Sequence, residues 1–323
     1  MEKITKLSII IPMYNAERYI SNIFSYFSKY SDYAFELIFI DDKSTDSTVE
    51  KLETCKKSSR LNIKIIQNSK NLGPGGSRNI GISVSSGEYI TFLDSDDTFS
   101  DDYLDEIMPL LNQNYDIIVH DAQLTFDNKA PKHYPMFMID TDEGLVEKKK
   151  ALVFINGCTW GKVYKKTLIK QFNIEFLNIK RNEDIPFTKL AIASATNIFY
   201  IRKDLYEYYQ NANSLMHNQS LLTAENAQKS FMYVNDKLKD CFPNEMEALF
   251  LVEYLYSTVL TNSLIMNRKE LINYISLSES IFPNCYNNEY LKLMPKKNIL
   301  VLKLIKFRSA RLIRFMARIR NRK

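Results

Sequence analysis

The chain has 323 residues, of which 45% are hydrophobic and 25% are charged, as is ordinary for a globular protein. Only 8 glycines and 9 prolines occur, which excludes a fibrous or low-complexity chain. The length accommodates one large domain or a main domain with an appendage. The cysteines are widely spaced and form no CxxC pair, which argues against a zinc site or a disulfide framework: Cys55, Cys158, Cys241 and Cys285.

The net charge of +5 is unevenly distributed. Residues 296–323 contain eleven Lys and Arg and no Asp or Glu, which leaves −6 for the rest of the chain. The apolar stretch before Pro12 is too short for a signal peptide, and no run reaches the ~18 apolar residues of a membrane span. We therefore expect a cytoplasmic protein with a basic C-terminal segment.

Short apolar runs alternate with helical patterns over the first 120 residues. Strands are predicted at 7–11, 37–40, 63–66, 89–93 and 116–119. Helices are predicted at 17–30, from 44–48 to about 57, and from about 77 to 85. This alternation predicts an α/β fold with a mostly parallel sheet flanked by helices, and the patterns of residues 222–292 predict a helical C-terminal region.

Polar clusters follow three of these strands. Tyr14 and Asn15 follow the first strand, Asp41 and Asp42 the second, and residues 94–97 (DSDD) the fourth. Ligands of parallel α/β sheets lie beyond the carboxyl ends of the strands, so we expect the clusters to form one site. An isolated acidic cluster is also consistent with a solvated turn or a helix cap, but three clusters at one edge favour binding.

The acidic clusters and the glycine-rich segment suit different parts of a nucleotide ligand. The carboxylates of Asp94 and Asp96 suit a divalent cation and the ribose, and those of Asp41 and Asp42 suit a ribose or base. The segment 71–79 (NLGPGGSRN) begins a predicted helix whose free N–H groups attract anions. Within it, the Arg78 guanidinium suits phosphate or carbonyl oxygens.

Glu183 and Asp184, within RNEDIPF, are candidates for a general base that deprotonates an acceptor hydroxyl. The alternative is a pair of carboxylates in the first turn of a helix, where they complement the helix dipole. The local sequence leaves both interpretations open.

Four segments resemble, in order and spacing, the motifs of the family 2 glycosyltransferases of the GT-A fold. They are SIIIPMYNAERYI, FIDDKSTDST, NLGPGGSRNIGI and GEYITFLDSDD, within residues 7–105. WGKVYKK and RNEDIPF resemble acceptor-side motifs of bacterial members that make capsule, teichoic acid or lipopolysaccharide glycans. Ser77 stands where members often have alanine, and nothing after about residue 215 adds to the resemblance.

The resemblance implies the GT-A fold and an inverting, hexosyltransferase-type reaction on a UDP-sugar or similar donor. It implies that Asp96 binds Mg or Mn, that Asp184 is the catalytic base, and that Trp160 lies near the sugar or acceptor. It places Asp42 at the base and Asp94 at the ribose. With the candidates above, the predicted nucleotide-sugar contacts are Pro12, Tyr14, Asn15, Asp41, Asp42, Gly75, Arg78, Asn79, Asp94 and Ser95.

A histidine and the C-terminal segment are two further candidate features. His217 is a candidate metal or diphosphate ligand, although a loop histidine more often has no such role. On a helical wheel, one face of the C-terminal segment is apolar (residues 302, 305, 312, 313, 316 and 319) and the other is basic. This pattern predicts a helix on an anionic membrane surface, with docking on the protein or a partner as the alternative, and it disfavours nucleic acid.

The predicted organisation is a catalytic domain over residues 1–215, a helical region over 216–295 and a basic amphipathic tail over 296–323. The predicted acceptor is a cell-surface glycan or a lipid-linked molecule, with the enzyme peripheral at the inner face of the plasma membrane. A sugar-phosphate nucleotidyltransferase is disfavoured because the first strand leads into PMYNAERY rather than a glycine-rich triphosphate loop. A non-catalytic nucleotide-binding assembly protein is disfavoured because Asp96 and Asp184 are both present.

Overall fold

The computed structural model describes residues 5–126, 129–179, 181–210 and 221–321. The chain divides into two compact units. The first unit comprises Met1–Met136, Asp142–Lys148 and Gly157–Asn211. The second comprises Phe137–Thr141, Lys149–Asn156 and Ala212–Lys323.

The first unit is built on a sheet to which ten strands of the described residues contribute, in the order β3-β2-β1-β4-β9-β6-β10-β5, with β7 on β6 and β8 on β10. The strands are β1 Leu7–Met13, β2 Phe35–Asp41, β3 Ile63–Gln67, β4 Tyr89–Phe92, β5 Thr98–Phe99, β6 Ile117–Phe126, β7 Lys129–Tyr134, β8 Gly144–Val146, β9 Lys162–Lys165 and β10 Ile198–Tyr209. The helices between them are α1 Ile20–Ser28, α2 Thr48–Ser58, α3 Gly73–Val84, α4 Tyr103–Leu110, α5 Lys148–Phe154 (which runs into the second unit), α6 Lys166–Gln171 and α7 Asp184–Ser194.

The first four strands are parallel and adjacent, as the alternation of apolar runs and helices predicts. β1 pairs with β2 and β4, with Ile10 opposite both Ile38 and Phe92. The apolar residues of β1 and β2 are fully buried or nearly so, as expected for strands covered by helices on both faces. β9 runs antiparallel between β4 and β6. The predicted α/β fold with a mostly parallel sheet is confirmed.

Helix α3 begins four residues earlier than predicted, at Gly73 rather than Ser77. Pro74 lies in its first turn, where backbone N–H groups have no partner within the helix, so the missing N–H of proline costs no hydrogen bond. The glycine-proline segment therefore starts the helix instead of preceding it. The helix packs closely on the sheet, because a Cβ at Gly81 would lie 2.3 Å from Cγ2 of Ile10. Arg78 lies three residues before Gly81, about one turn nearer the start of the helix.

The second unit is helical in its described residues, as predicted. Its main helices are α8 Leu221–Leu238, α9 Pro243–Leu249, a π-helical turn Phe250–Leu255, α10 Tyr256–Asn262, α11 Arg268–Glu279, α12 Lys296–Lys306 and α13 Ala310–Asn321. Asn267 and Glu270 form a capping box at the start of α11. Phe231, Phe250 and Tyr254 pack together in its core.

The C-terminal segment differs from the single amphipathic helix that was predicted. It forms two helices, α12 and α13, separated near Arg308, whose backbone has a φ of +53°. Three residues of the predicted outer apolar face, Leu302, Ile305 and Ile313, are buried instead. Leu312 and Ile319 are exposed, so the predicted face is divided between the core and the surface. None of the helices in the described ranges has both the length and the apolar character to cross a membrane.

Candidate functional site

The carboxyl ends of β1, β2 and β4 lie at one edge of the sheet because these strands are parallel neighbours. Met13 lies opposite Asp41, and the N–H of Asp42 donates to the Met13 carbonyl at 2.8 Å. Asn15 holds the two strand ends together: its N–H donates to Ser44 Oγ at 2.9 Å, and its Oδ1 accepts from the Thr45 N–H at 2.8 Å. At the end of β1, Pro12 is partly buried and Tyr14, just after the strand, is exposed.

The two carboxylates after β2 have different surroundings. Asp42 Oδ1 accepts from Asn68 Nδ2 and the Leu72 N–H at 2.8 Å each, and its Oδ2 accepts from the Gly73 N–H at 2.8 Å. Asp42 therefore fixes the start of α3 against the sheet edge. Asp41 is buried, and its Oδ1 has no hydrogen-bond partner among the described residues. A buried oxygen of this kind is available to a donor group on a ligand.

Arg78 of α3 bridges two carboxylates from distant parts of the chain. Its Nη2 donates to Asp94 Oδ1 at 2.7 Å and its Nη1 donates to Glu183 Oε1 at 3.1 Å. Burial by itself lowers the pKa of Arg78, but the charges of Asp94 and Glu183 outweigh it and raise that pKa above its usual value. The guanidinium is therefore a fixed positive charge between two acidic segments.

Gly75 and Glu183 lie in close contact at the start of α7. A Cβ on Gly75 would lie 2.9 Å from Cγ of Glu183, so this position leaves no space for a side chain. Asp184 begins α7 and accepts from the Ile185 N–H at 3.1 Å. The structure thus joins the glycine-rich segment to the Glu183-Asp184 pair, which the sequence leaves unconnected.

An aromatic layer supports Arg78. The guanidinium carbon lies 5.5 Å from the centre of the Phe176 ring, and Phe176 stacks on Phe187 at 4.1 Å. Asn79 holds Phe176 in place, because its Nδ2 donates to the Phe176 carbonyl at 3.0 Å and its Oδ1 accepts from the Phe176 N–H at 2.9 Å. Both polar groups of Asn79 are therefore used within the protein.

The loop of residues 94–97 is anchored to β10 through its last aspartate. Asp97 is buried, its Oδ2 accepts from the Tyr206 hydroxyl at 2.6 Å, and its Oδ1 accepts from the Tyr209 N–H at 2.8 Å. The Asp94 N–H also donates to the Tyr206 hydroxyl at 3.3 Å. Both carboxylate oxygens of Asp97 are thus occupied, whereas Asp94 uses one oxygen for Arg78.

The charges of this loop favour a cation. Burial and the neighbouring charge of Asp94 raise the pKa of Asp96. The same two causes raise the pKa of Asp97 well above its usual range, although the Tyr206 hydrogen bond opposes them. The side chain of Asp96 has no hydrogen bond to another residue in the described part of the chain, and Ser95 is partly exposed beside it. A hard divalent cation fits this carboxylate set, since it would relieve the repulsion between the aspartates.

Trp160 lies in an aromatic cluster next to this loop. Its ring stacks on Tyr206 at 4.9 Å with an interplanar angle of 14°, and it also contacts Tyr208 and Tyr134. Trp160 is 9% exposed, so little of it is available to a bound molecule. Trp160 therefore packs on Tyr206, the residue that holds Asp97.

A profile described as glycosyl transferase family 2 matches residues 8–209. The chain belongs to this family. Its sequence is 29% identical over 208 residues to the poly(ribitol-phosphate) β-N-acetylglucosaminyltransferase TarS of Staphylococcus aureus, covering 63% of this chain and 35% of TarS. It is 36% identical over 212 residues to the poly(ribitol-phosphate) β-glucosyltransferase of Bacillus spizizenii, covering 63% and 32% of the two chains.

The fold is also that of a solved family 2 glycosyltransferase. The structure of S. aureus TarS 1–349 in complex with UDP-GlcNAc matches with a TM-score of 0.75 and 21% identity, covering 98% of this chain and 92% of that one. The predicted GT-A fold and family are confirmed. The chain spans about a third of the length of the curated relatives it matches first.

In this family 2 glycosyltransferase, the structure adds three residues to the predicted site: Asp97, Tyr206 and Phe176. Asp97 carried a signal in the DSDD motif. Phe176 lies five residues before the RNEDIPF motif and Tyr206 lies well after it, and neither is part of a motif. His217 lies outside the described residues.

A separate group of Asp121, His133 and Asp204 brings its ligand-type atoms within 4.8 Å of one another. These groups are engaged with one another and with Tyr200 and the Met136 N–H. We interpret this group as an internal hydrogen-bond cluster of β6, β7 and β10.

Proposed function

We propose that the chain is a metal-dependent, inverting glycosyltransferase that moves a sugar from a UDP donor to an acceptor hydroxyl. The observation that supports this most strongly is the Arg78 bridge, which joins Asp94 of the D-x-D segment to Glu183, the residue preceding Asp184. Donor-side and acceptor-side motifs are therefore in direct contact. The UDP-GlcNAc in the solved TarS structure supports a UDP-sugar as the donor.

For the donor, Asp96 would hold Mg or Mn, which when bound neutralises charge on the diphosphate. Arg78 supplies a second, fixed positive charge for the leaving group. The unpartnered Oδ1 of Asp41 would accept a hydrogen bond from the base or ribose, and Asp94 from the ribose. Asp42, Asn15, Gly75 and Asn79 would act by holding the strand ends and α3 in place.

For the acceptor, Asp184 would take the hydroxyl proton as the oxygen forms its bond to the anomeric carbon. The bond from that carbon to the diphosphate breaks on the opposite face, so the configuration inverts and the nucleoside diphosphate leaves. Glu183 is engaged by Arg78, so we assign it to positioning this arginine rather than to proton transfer. Trp160 would contact the sugar or acceptor with its exposed part.

The proposed acceptor is a hydroxyl of a cell-surface glycan or of a lipid-linked molecule. Two relatives carry names that specify poly(ribitol phosphate) as the acceptor but different sugars, which supports a polymer acceptor without selecting the sugar. Residues 1–215 would form the catalytic domain and 216–295 a helical region. Residues 296–323 would hold the enzyme peripherally at an anionic membrane, where lipid-linked acceptors are found.

The test measures UDP release from a panel of UDP-sugars, with Mn²⁺ or Mg²⁺ present and with a chelator. We expect turnover of one sugar with metal, and none with chelator. Asp96→Ala should abolish it, because the carboxylate proposed to hold the cation is lost. The matched control is Asp32→Ala, an exposed aspartate just before β2, at the opposite edge of the sheet, which should retain full turnover.

Two outcomes would contradict the proposal. UDP binding without turnover of any sugar, with or without poly(ribitol phosphate), would favour a non-catalytic assembly protein. Pyrophosphate release from a nucleoside triphosphate and a sugar phosphate would favour a nucleotidyltransferase.

A further inference from the structure

Helix α13 is anchored to the helical unit along one face. Ile313, Ala317 and Ala310 of this face are at most 5% exposed. Arg314 donates from Nε to the Ser263 carbonyl at 2.9 Å and from Nη2 to the Met266 carbonyl at 2.8 Å, just after the end of α10. These bonds satisfy carbonyls that a helix end leaves open, so α13 has a defined orientation in its unit.

A second apolar strip lies on the other side of the same helix. Leu312, Phe315 and Ile319 are 51%, 59% and 37% exposed. Their spacing of three and four residues places them on one side of the helix. Phe307, in the turn before α13, is 74% exposed. A surface helix with one packed face needs no second apolar strip, so Leu312, Phe315 and Ile319 call for an occupant.

The exposed charged side chains that flank this strip on α13 are basic. Glu279, at the end of α11, is already paired at 2.8 Å with Arg308, in the turn before α13. Arg311 and Arg318 are exposed and, by helical spacing, lie along one margin of the strip. Neither forms an ion pair with any residue in the described ranges. The whole segment 296–323 contains eleven basic residues and no acidic residue. A protein partner of ordinary composition presents both signs of charge, whereas an anionic lipid surface presents one.

We propose that Leu312, Phe315 and Ile319 form a membrane-contact strip that inserts at the boundary between headgroups and acyl chains of an anionic bilayer. Arg311 and Arg318 then pair with lipid phosphates beside it. Ile313, Ala317 and Arg314 keep the helix on its own unit, so the strip enters the interface without detachment of α13. The strip differs from the face that the helical wheel predicts, because Leu302, Ile305 and Ile313 belong to the core.

The experiment measures sedimentation of the full chain with phosphatidylcholine vesicles, with and without phosphatidylglycerol. We expect binding only to the vesicles that contain phosphatidylglycerol. The double variant Leu312→Ser/Phe315→Ser should weaken this binding by at least about tenfold, because two side chains no longer enter the bilayer. Arg311→Gln/Arg318→Gln should weaken it by roughly twenty-five-fold, at about fivefold for each charge near the surface. The matched control is Leu145→Ser, an apolar side chain of β8 that is 69% exposed.

UDP binding and the thermal midpoint of each variant show whether its fold is intact, and neither depends on a membrane. Failure of the full chain to sediment with anionic vesicles would overturn the inference. So would unchanged binding of the Leu312→Ser/Phe315→Ser variant, since binding would then be electrostatic alone, as for a nucleic acid. This inference rests on the membrane placement in the proposed function and not on the proposed sugar transfer. Loss of sugar transfer in Asp96→Ala with vesicle binding intact would leave this inference standing, so sugar transfer and membrane contact fail separately.

Discussion

At the scale of single residues, Arg78 connects donor and acceptor groups through two separate nitrogens. A lysine retains the charge but cannot bridge Asp94 and Glu183 with a planar fork. We predict that Arg78→Lys lowers kcat by about a hundredfold, comparable to the loss of one preorganised charge-stabilising donor. Steady-state UDP release measures this effect. The matched control is Arg60→Lys, at an exposed arginine, which should leave kcat unchanged. An equal kcat for Arg78→Lys and the native chain would refute the role assigned to Arg78.

The adjacent carboxylates of Glu183 and Asp184 allow a paired test of the base. Asp184→Asn should reduce sugar transfer by at least about a hundredfold, since amides do not accept protons, and should leave UDP binding intact. Glu183→Gln should retain more transfer than Asp184→Asn, because Gln still accepts a hydrogen bond from Arg78. Transfer rates and UDP-dependent thermal shifts distinguish the two roles. Equal or greater loss of transfer in Glu183→Gln would identify Glu183 as the base.

At the scale of elements, the loop after β4 depends on β10 for its position. The Tyr206 hydroxyl donates to Asp97 and accepts from the Asp94 N–H, so it fixes both ends of the loop of residues 94–97. Tyr206→Phe should raise the half-saturating concentration of Mn²⁺ by about tenfold, as expected when a group that orients ligands is lost. The control is Tyr115→Phe, whose ring stacks on Phe199 and whose hydroxyl makes no hydrogen bond within the described ranges. An unchanged metal requirement in Tyr206→Phe would exclude this role.

The amino ends of β1 and β2 are joined through Glu36, away from the proposed site. Burial by itself raises the pKa of Glu36. Hydrogen bonds from Lys64, Ser8 and Ser86 have the opposite and larger effect, so that the pKa falls from an ordinary value of 4.5 to about 2. The ionised form is therefore favoured by folding, and its contribution is present above pH 4.5 and lost as the pH falls towards 2.

We predict that Glu36→Gln lowers the free energy of unfolding at neutral pH by about 1–3 kcal/mol, because charged hydrogen bonds are lost. The difference between the two proteins should shrink as the pH falls from 4.5 to 2. Urea unfolding at a series of pH values measures it. A difference that is constant across this range would mean that Glu36 does not titrate as described.

At the scale of the whole chain, the parts that could be predicted from sequence are those encoded by neighbouring residues. Buried runs such as FELIFI predict strands because few other structures accommodate them, and parallel strands bring their carboxyl ends to one edge. The position of Asp42 and Asp94 at one edge of the sheet follows from this rule, whereas Arg78 reaches that edge from helix α3.

The remainder depends on contacts that local patterns do not encode. Tyr206 lies more than a hundred residues after Asp97, and nothing near it in sequence signals their hydrogen bond. The break between α12 and α13 occurs without proline or glycine, so the helical pattern continues through it and the wheel assigns Ile313 to the wrong face. Long-range packing, rather than propensity, decides both cases.

We propose that the carboxyl edge of the sheet holds a divalent cation together with the diphosphate of a nucleotide. Isothermal titration of UDP into the full chain, with Mn²⁺ and with EDTA, measures this binding. We expect tight binding with Mn²⁺ and at least about tenfold weaker binding with EDTA. Asp96→Ala should bind UDP with the same weak affinity under both conditions, while Asp32→Ala should behave as the native chain. Equal UDP affinity with Mn²⁺ and EDTA in the native chain, unaltered by Asp96→Ala, would contradict this proposal.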